Sequence, residues 1–404
     1  MRKIYILLSM LIGISSLSAQ QLQFSDSAQV SLLTCSPGEE IYAKFGHTGI
    51  RVNDLKNNID VVFNYGLFSF ETKNFYIKFI KGETDYQLGV TSTQAFLAEY
   101  IERNSFVWEQ KLDLNSLDRK ILINSLLINY EPQNRIYRYN FVFDNCATRP
   151  RDKILSSNSG IVKLKTSNEP RTFRNWVGVY TGNESWLTFG IDLVFGKPAD
   201  ENASAMVSMF LPEVLMSEFE NIYIVTQESG FSEKKLVSEK KVLVEAEYKE
   251  VDASNSLIKP FYVFSVLLIL SAILTFIETK KRTYYRLFDS TLLLITGLAG
   301  ILIFYLMFFS AHPLVKNNLN ILWLNPLNIF AAIVIWIKPW KFGLTIYKIA
   351  SIVLLLVSLV LFALSYQSFN YAIFPLIILL LMRYLSYIFN SNRVSIKLKK
   401  TNKD

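Results

Sequence analysis

Hydrophobic and polar positions divide the chain into two unlike parts. Up to about residue 255, short apolar stretches alternate with polar and charged ones, as in a water-soluble domain. After Pro260 five apolar runs follow, at about 261–277, 288–310, 320–337, 345–365 and 370–389. Each is long enough, or nearly so, for a membrane helix of about 20 residues. The pattern predicts an α+β domain over residues 20–255, an all-α five-helix transmembrane domain over 256–391 and a basic tail over 392–404. Residues 1–19 read as a secretory signal: Arg2 and Lys3 begin it, Ile4 to Ile14 form its apolar core, and Ser-Leu-Ser-Ala its small-residue end.

Within the soluble part, the apolar run Val30 to Leu33 is broken by Cys35-Ser-Pro-Gly, and Ile41 to Phe45 suggests a helical turn. Two strand candidates follow, Gly46 to Asn53 and Ile59 to Gly66, joined by the turn-forming Asp54-Leu-Lys-Asn-Asn58. Pairing their apolar positions sets Thr48 opposite Phe63, Ile50 opposite Val61 and Val52 opposite Ile59. The same register sets His47 opposite Asn64 on the other face. Phe68, Phe70, Phe75, Tyr76, Phe79 and Ile80 then form an aromatic cluster, read either as core or as a slot for an acyl chain near the membrane. Helical periodicity covers Thr93 to Asn104 and Leu117 to Tyr130. The stretch RIYRYNFVFDNC reads as a strand leading into a helix. Residues 160–225 mix loops with short amphipathic pieces such as Trp186 to Phe195, and Ser232 to Val251 alternates like a hairpin.

Charge gives the membrane part an orientation. The first connector holds Lys280, Lys281, Arg282 and Arg286, the third Lys338 and Lys341, and the tail Arg393, Lys397, Lys399, Lys400 and Lys403. The second connector has only Lys316, and the fourth, around Gln367, has no charge. The positive-inside rule puts the first, the third and the tail in the cytoplasm and the large domain outside. The formal net charge of +8 is therefore a membrane signature and not a nucleic-acid one. Two cysteines, Cys35 and Cys146, are too few for a disulfide framework and lack zinc-site spacing. A single bridge between them remains open, although it would disable the nucleophile described next.

Asp144 and Asn145 are helix-start residues, and Cys146 follows them directly. A cysteine at the first turn of a helix meets the positive end of the helix dipole, which favours its nucleophilic form. Pro150 is tolerated in a first turn but not deeper, so Cys146 stands at or just before the helix start. Of the two histidines, His47 lies on a strand and is the candidate base. Asn64 is placed by register to orient its ring, as the third member of a triad does. Backbone N–H groups at the helix start would supply an oxyanion hole. His312 sits in the second connector with Asn318 and Asn320, followed by Asn325 and Asn328. That polar patch would rest beneath the soluble domain and present a lipid headgroup; otherwise His312 and Pro313 simply end a helix.

The blocks LLTCSPGEEIYAKFGHTGIRV, FNYGLFSFETKNFYIKFIKGETDY, YRYNFVFDNCATRPRD, WLTFGIDLVFGKPAD and HPLVKNNLNILWLNPL resemble the Lnb family of Bacteroidota. That family joins a periplasmic domain to five membrane helices and is described as a lipoprotein N-acyltransferase. The order of His and Cys also resembles the circularly permuted papain-like fold of lecithin:retinol acyltransferase. The resemblance implies that His47 in FGHT and Cys146 in DNCATR are the catalytic pair. It implies a phospholipid donor, a diacylated lipoprotein acceptor, an inner-membrane location with a cytoplasmic C-terminus, and no cofactor or metal. Candidate substrate contacts are Tyr65, Asn145, Arg149, His312 and Asn320. The competing class is a membrane-anchored cysteine amidase or peptidase acting on cell-wall peptides; five membrane helices argue against it, since a wall hydrolase needs one anchor.

Overall fold

A computed structural model describes residues 22–166, 169–182, 184–226, 232–247 and 258–401, with backbone alone for 390–401. The expected signal at residues 1–19 and the join at 255–256 lie outside the described residues.

Seven antiparallel strands form the main sheet: β1 (Gln29–Cys35), β2 (His47–Asp54), β3 (Ile59–Leu67), β4 (Asp85–Ser92), β5 (Val107–Leu112), β6 (Ile136–Arg138) and β10 (Val237–Val244). Their spatial order is β10-β5-β1-β2-β3-β4-β6. The short apolar run at Val30 is thus the middle of a strand flanked on both sides, and its residues are buried almost throughout. Helix α3 (Ser116–Tyr130) covers one face, where Leu122, Ile123 and Leu126 meet Leu32, Ile50 and Phe63. Helix α2 (Thr93–Glu102) covers the other, where Phe96 and Tyr100 meet Leu33, Cys35 and Val62. Each such buried aliphatic side chain contributes roughly 1.5–3 kcal/mol.

The β2–β3 register differs from the expected one by two residues. Ile50 pairs with Phe63, Val52 with Val61 and Asp54 with Ile59, leaving a four-residue loop. The cause is local. Asp54 Oδ1 accepts the backbone N–H of Lys56 at 3.1 Å and of Asn57 at 3.4 Å, and Asn58 adopts the left-handed conformation at φ 51°. The loop therefore closes tighter than apolar matching alone requires. Because the shift is even, no side chain changes face. Asn64 now stands opposite Gly49, diagonal to His47 on the same side.

The expected hairpin over Ser232 to Val251 is not one in its described part, residues 232–247. A second sheet is formed by β7 (Ile161–Leu164), β8 (Ile222–Thr226) and β9 (Ser232–Lys235), so β9 pairs with β8 while β10 pairs with β5. The buried Leu236 separates them, and its N–H donates to Ile222 O at 2.9 Å. Anchoring that single side chain in the core splits the segment between two sheets.

Among the described residues, three helices of the second half are long and apolar enough to cross a membrane: α8 (Pro260–Lys281), α9 (Arg286–Phe309) and the stretch Lys338–Ala363, which contains α11 (Lys341–Ala363). The apolar part of α12 (Ile373–Thr401) is shorter, Ile373–Phe389, and the expected basic tail continues this helix to Thr401. The run at 320–337, expected as one of five membrane helices, is not one continuous helix. It comprises a 3₁₀ turn at Leu319–Leu322 and a short helix α10 (Asn328–Val334). Pro326 lacks the N–H a continuous helix would need, and Asn325 Oδ1 takes the Leu327 N–H at 2.9 Å. The broken segment still runs antiparallel along α9: Asn318 N contacts Met307 Sδ near one end, and Trp336 Nε1 donates to Ser290 Oγ near the other. Gly300 permits this approach, since a methyl group there would lie 2.2 Å from Leu324 O.

Candidate active site

The site lies where β2 begins and β3 ends. His47 is the first residue of β2, and its Nε2–H donates to Asn64 Oδ1 at 2.6 Å. That bond fixes the tautomer, and His47 also interacts with Cys146. The ring sits over Tyr100 and Phe96, each with centroid 6.5 Å away. Cys146 lies just before α4 (Thr148–Ser156). Pro150 occupies the first turn of α4, where no intrahelical N–H is lost.

Burial disfavours charge on His47. The interactions with Cys146, together with the bond to Asn64, outweigh this and lift His47 above its ordinary value. Cys146→Ala removes that interaction, burial weighs more, and His47 is expected to titrate lower than in the intact protein. Histidine NMR reads the shift directly, because the chain has 2 histidines. An unchanged or higher midpoint would rule out an imidazolium–thiolate pair.

Asn145 organises the approach to α4. Its Oδ1 accepts the N–H of Ala147 at 2.8 Å and of Thr148 at 2.9 Å, and its Nδ2 donates to Phe141 O and Phe210 O, both at 2.8 Å. Its amide is therefore fully engaged inside the protein and holds the turn that carries Cys146. The N–H groups of Ala147 and Thr148, expected to face an oxyanion, are taken up by this cap. Tyr65 is buried too, with its hydroxyl donating to Asn129 Oδ1 at 2.8 Å. Arg149 grips Asp144 through two nitrogens and lies 3.6 Å over the ring of Tyr137. These three expected substrate contacts act as supports around the site.

His312 and Asn320 lie between the two parts of the chain. His312 Nε2 bonds to Phe79 O at 2.7 Å, beside α1 (Phe75–Lys81). Asn320 Nδ2 reaches Asp192 O at 3.2 Å and Leu193 O at 3.1 Å, and its Oδ1 accepts Trp323 Nε1–H at 2.9 Å. The polar connector is thus a dock for α6 (Trp186–Val194). Asn318 Nδ2 also donates to Leu193 O, and Asn370 Nδ2 to Asp192 Oδ2 at 2.9 Å. Asp192 is held in turn by Arg174 at 2.8 Å, which also pairs with Asp200 at 2.7 Å. Gly196 lies so close to the connector that a methyl group on it would meet Lys316 O at 1.9 Å. Of the intramembrane amides, Asn328 joins helices, bonding Thr296 at 3.0 Å and Tyr347 at 2.6 Å.

Sequence reasoning did not single out Tyr137, Gly66 or the Arg174–Asp192–Asp200 group. Tyr137 is one of 21 tyrosines, and only its register against Tyr86 brings it to the site. A usable signal was the block WLTFGIDLVFGKPAD, whose two aspartates interrupt an apolar pattern.

The comparisons with known proteins agree with this two-part organisation. Residues 19–178 match the family described as the Lnb N-terminal periplasmic domain, and residues 252–394 match the Lnb transmembrane domain. No curated protein and no solved structure matches the chain. The two matches fall on the half that carries His47, Asn64 and Cys146 and on the half that docks beneath it, and they follow each other in one chain as the two parts of one protein. The chain belongs to the Lnb family: a membrane protein with an N-terminal periplasmic domain.

Proposed function

We propose that the protein is a lipoprotein N-acyltransferase that works through a Cys146 thioester. The observation carrying this reading is the arrangement of Cys146, His47 and Asn64 on a domain docked against membrane helices. The Cys146 thiolate attacks an ester carbonyl of a phospholipid, and the carbonyl π pair moves onto oxygen. When it returns, the bond to glycerol breaks. The alkoxide takes the proton of the His47 imidazolium and leaves as lysophospholipid. The α-amino group of a diacylglyceryl-cysteine then attacks the thioester, His47 takes its proton, and the thiolate is regenerated. Atoms balance without a metal, nucleotide or redox partner. The C-terminus faces the cytoplasm in this reading.

Two features support a lipid donor. A row of aromatic rings leads from the site toward the membrane connector: Tyr86 to Phe68 at 4.8 Å, Phe68 to Phe75 at 5.5 Å, Phe75 to Phe79 at 6.3 Å and Phe79 to His312 at 5.9 Å. Phe70, Tyr76, Ile77 and Phe79 are exposed there, beside Lys81, whose carbonyl accepts the Ala311 N–H at 2.7 Å. This apolar shelf at the membrane side suits an acyl chain better than a wall peptide. On the acceptor side, a cavity of about 220 Å³ opens beside Asn64, with the Glu99 carboxylate on its wall. An ammonium group at a lipoprotein N-terminus fits that lining.

The test is intact mass of a diacylglyceryl-cysteine lipoprotein peptide in phospholipid vesicles, with and without the purified protein. The expected result is a gain of one acyl chain with release of an equal amount of lysophospholipid. An unchanged mass, or cleavage of an added cell-wall peptide without lysophospholipid, would sink the proposal.

A further inference from the structure

Tyr137 has a buried hydroxyl with no hydrogen-bond partner among the described residues. Burying an unpaired hydroxyl is costly, so such a group calls for an explanation. Its surroundings supply one. In β3 the ladder to β4 is irregular between Asn64 and Leu67, and Gly66 in that bulge has φ 96°, a conformation that favours glycine. A methyl group on Gly66 would sit 3.4 Å from Cys146 Cβ, 3.7 Å from His47 Cε1 and 4.0 Å from Tyr137 Oη. The space left by this glycine is therefore bounded at once by the nucleophile, the base and a free hydroxyl.

We propose that this space receives the acyl carbonyl and that the Tyr137 hydroxyl donates to its developing oxyanion. The inference rests on the acyl-transfer reading above and adds to it a side-chain donor beside the helix start. The N–H groups of Ala147 and Thr148 are spent on Asn145 Oδ1, and that of Arg149 on Asn145 O at 3.2 Å. Tyr137 is held in place for the task. Its ring lies beneath the Arg149 guanidinium at 3.6 Å and edge-on to Tyr65 with centroids 6.3 Å apart. Burial pushes its phenol upward, so it keeps the proton it must donate. When the thiolate adds to the carbonyl carbon, the π pair localises on oxygen and is stabilised by the Tyr137 O–H. When the pair returns, the alkoxide departs and the phenol is unchanged.

Tyr137→Phe removes one oxygen and leaves the ring under Arg149. Two rates are measured on the full chain in vesicles, both by mass of the Cys146 peptide. One is single-turnover thioester formation, from phospholipid and separately from a p-nitrophenyl acyl ester. The other is alkylation of Cys146 by iodoacetamide, a substitution that forms no oxyanion. Thioester formation is expected to fall about 10²-fold from both donors, the usual loss on removing one oxyanion donor. Alkylation is expected to stay within about twofold, since the Cys146–His47 pair is intact. Equal thioester rates in the variant overturn the assignment. An equal fall in both rates also overturns it, because Tyr137 would then only position Cys146. If the unsubstituted protein reacts with the p-nitrophenyl ester but not with phospholipid, the lipid reading fails while Tyr137 is still judged on the ester. Reaction with neither overturns both.

Discussion

Cys146→Ala is expected to abolish the proposed acyl transfer, with a fall of about 10⁴-fold or more, while Cys35→Ala is expected to keep most of it. The two thiols are both free, yet their settings are opposite. Cys35 lies in β1 directly across the ladder from His47, but it is fully buried among Leu33, Val62 and Phe96. Burial pushes its thiol well up, so it stays protonated and inert, although Tyr100 hydrogen-bonds to it. Cys146 is half-buried, lies beside the space at Gly66 and has His47 as its partner. His47→Ala is expected to match Cys146→Ala, and the double variant to be no worse than either, because nucleophile and base act as one unit. Asn64→Ala costs less, since it releases the ring without removing it. The measurement is acyl gain on the lipoprotein peptide, with protein level held equal. A loss in Cys35→Ala as deep as in Cys146→Ala would mean that the two sulfurs share a role, and the assignment of one nucleophile would fail.

Local patterns carried the parts of the fold that depend on neighbours in sequence. The polar turn at Asn145 before α4, the helices from Thr93 and near Leu117, and the paired faces of β2 and β3 all follow from spacing of apolar and turn-forming residues. What spacing could not fix was loop length: the Asp54 carboxylate tightened the turn and moved the register by two. Nor could hydropathy see the break in the third membrane run, because Asn325-Pro326 is only two residues within a long apolar stretch. The least legible parts are those made by residues far apart in the chain. Arg174, Asp192, Asn318, Asn320 and Asn370 become one dock only after folding. Tyr137 comes to Cys146 by the pairing of β6 with β4, and no motif marks it.

Arg383→Ala is expected to unfold or disperse the membrane domain. In the structure Arg383 is fully buried and joins helices α8, α9 and α12. Its Nη1 meets Glu278 Oε2 at 2.7 Å and its Nε meets Asp289 Oδ1 at 2.6 Å. Lys348 of α11 approaches Asp289 Oδ2 at 3.4 Å, and Tyr284 donates to the same oxygen. Two carboxylates and two cations thus balance within a dry site, and Ser386 and Thr275 satisfy further atoms. Such a cluster adds little net stability when whole, since desolvation offsets much of the attraction. Breaking it is another matter. Without Arg383 two buried carboxylates face one lysine, at a cost of about 3–5 kcal/mol. A domain with marginal stability does not tolerate that. The double change Arg383→Met with Glu278→Gln restores the balance, leaving Asp289 with Lys348, and should recover a large part of the loss. Thermal unfolding in detergent or vesicles measures both. If Arg383→Ala melts like the unsubstituted protein, the cluster does not hold the helices together. If the double variant is no better than the single one, the damage did not come from the uncompensated charge.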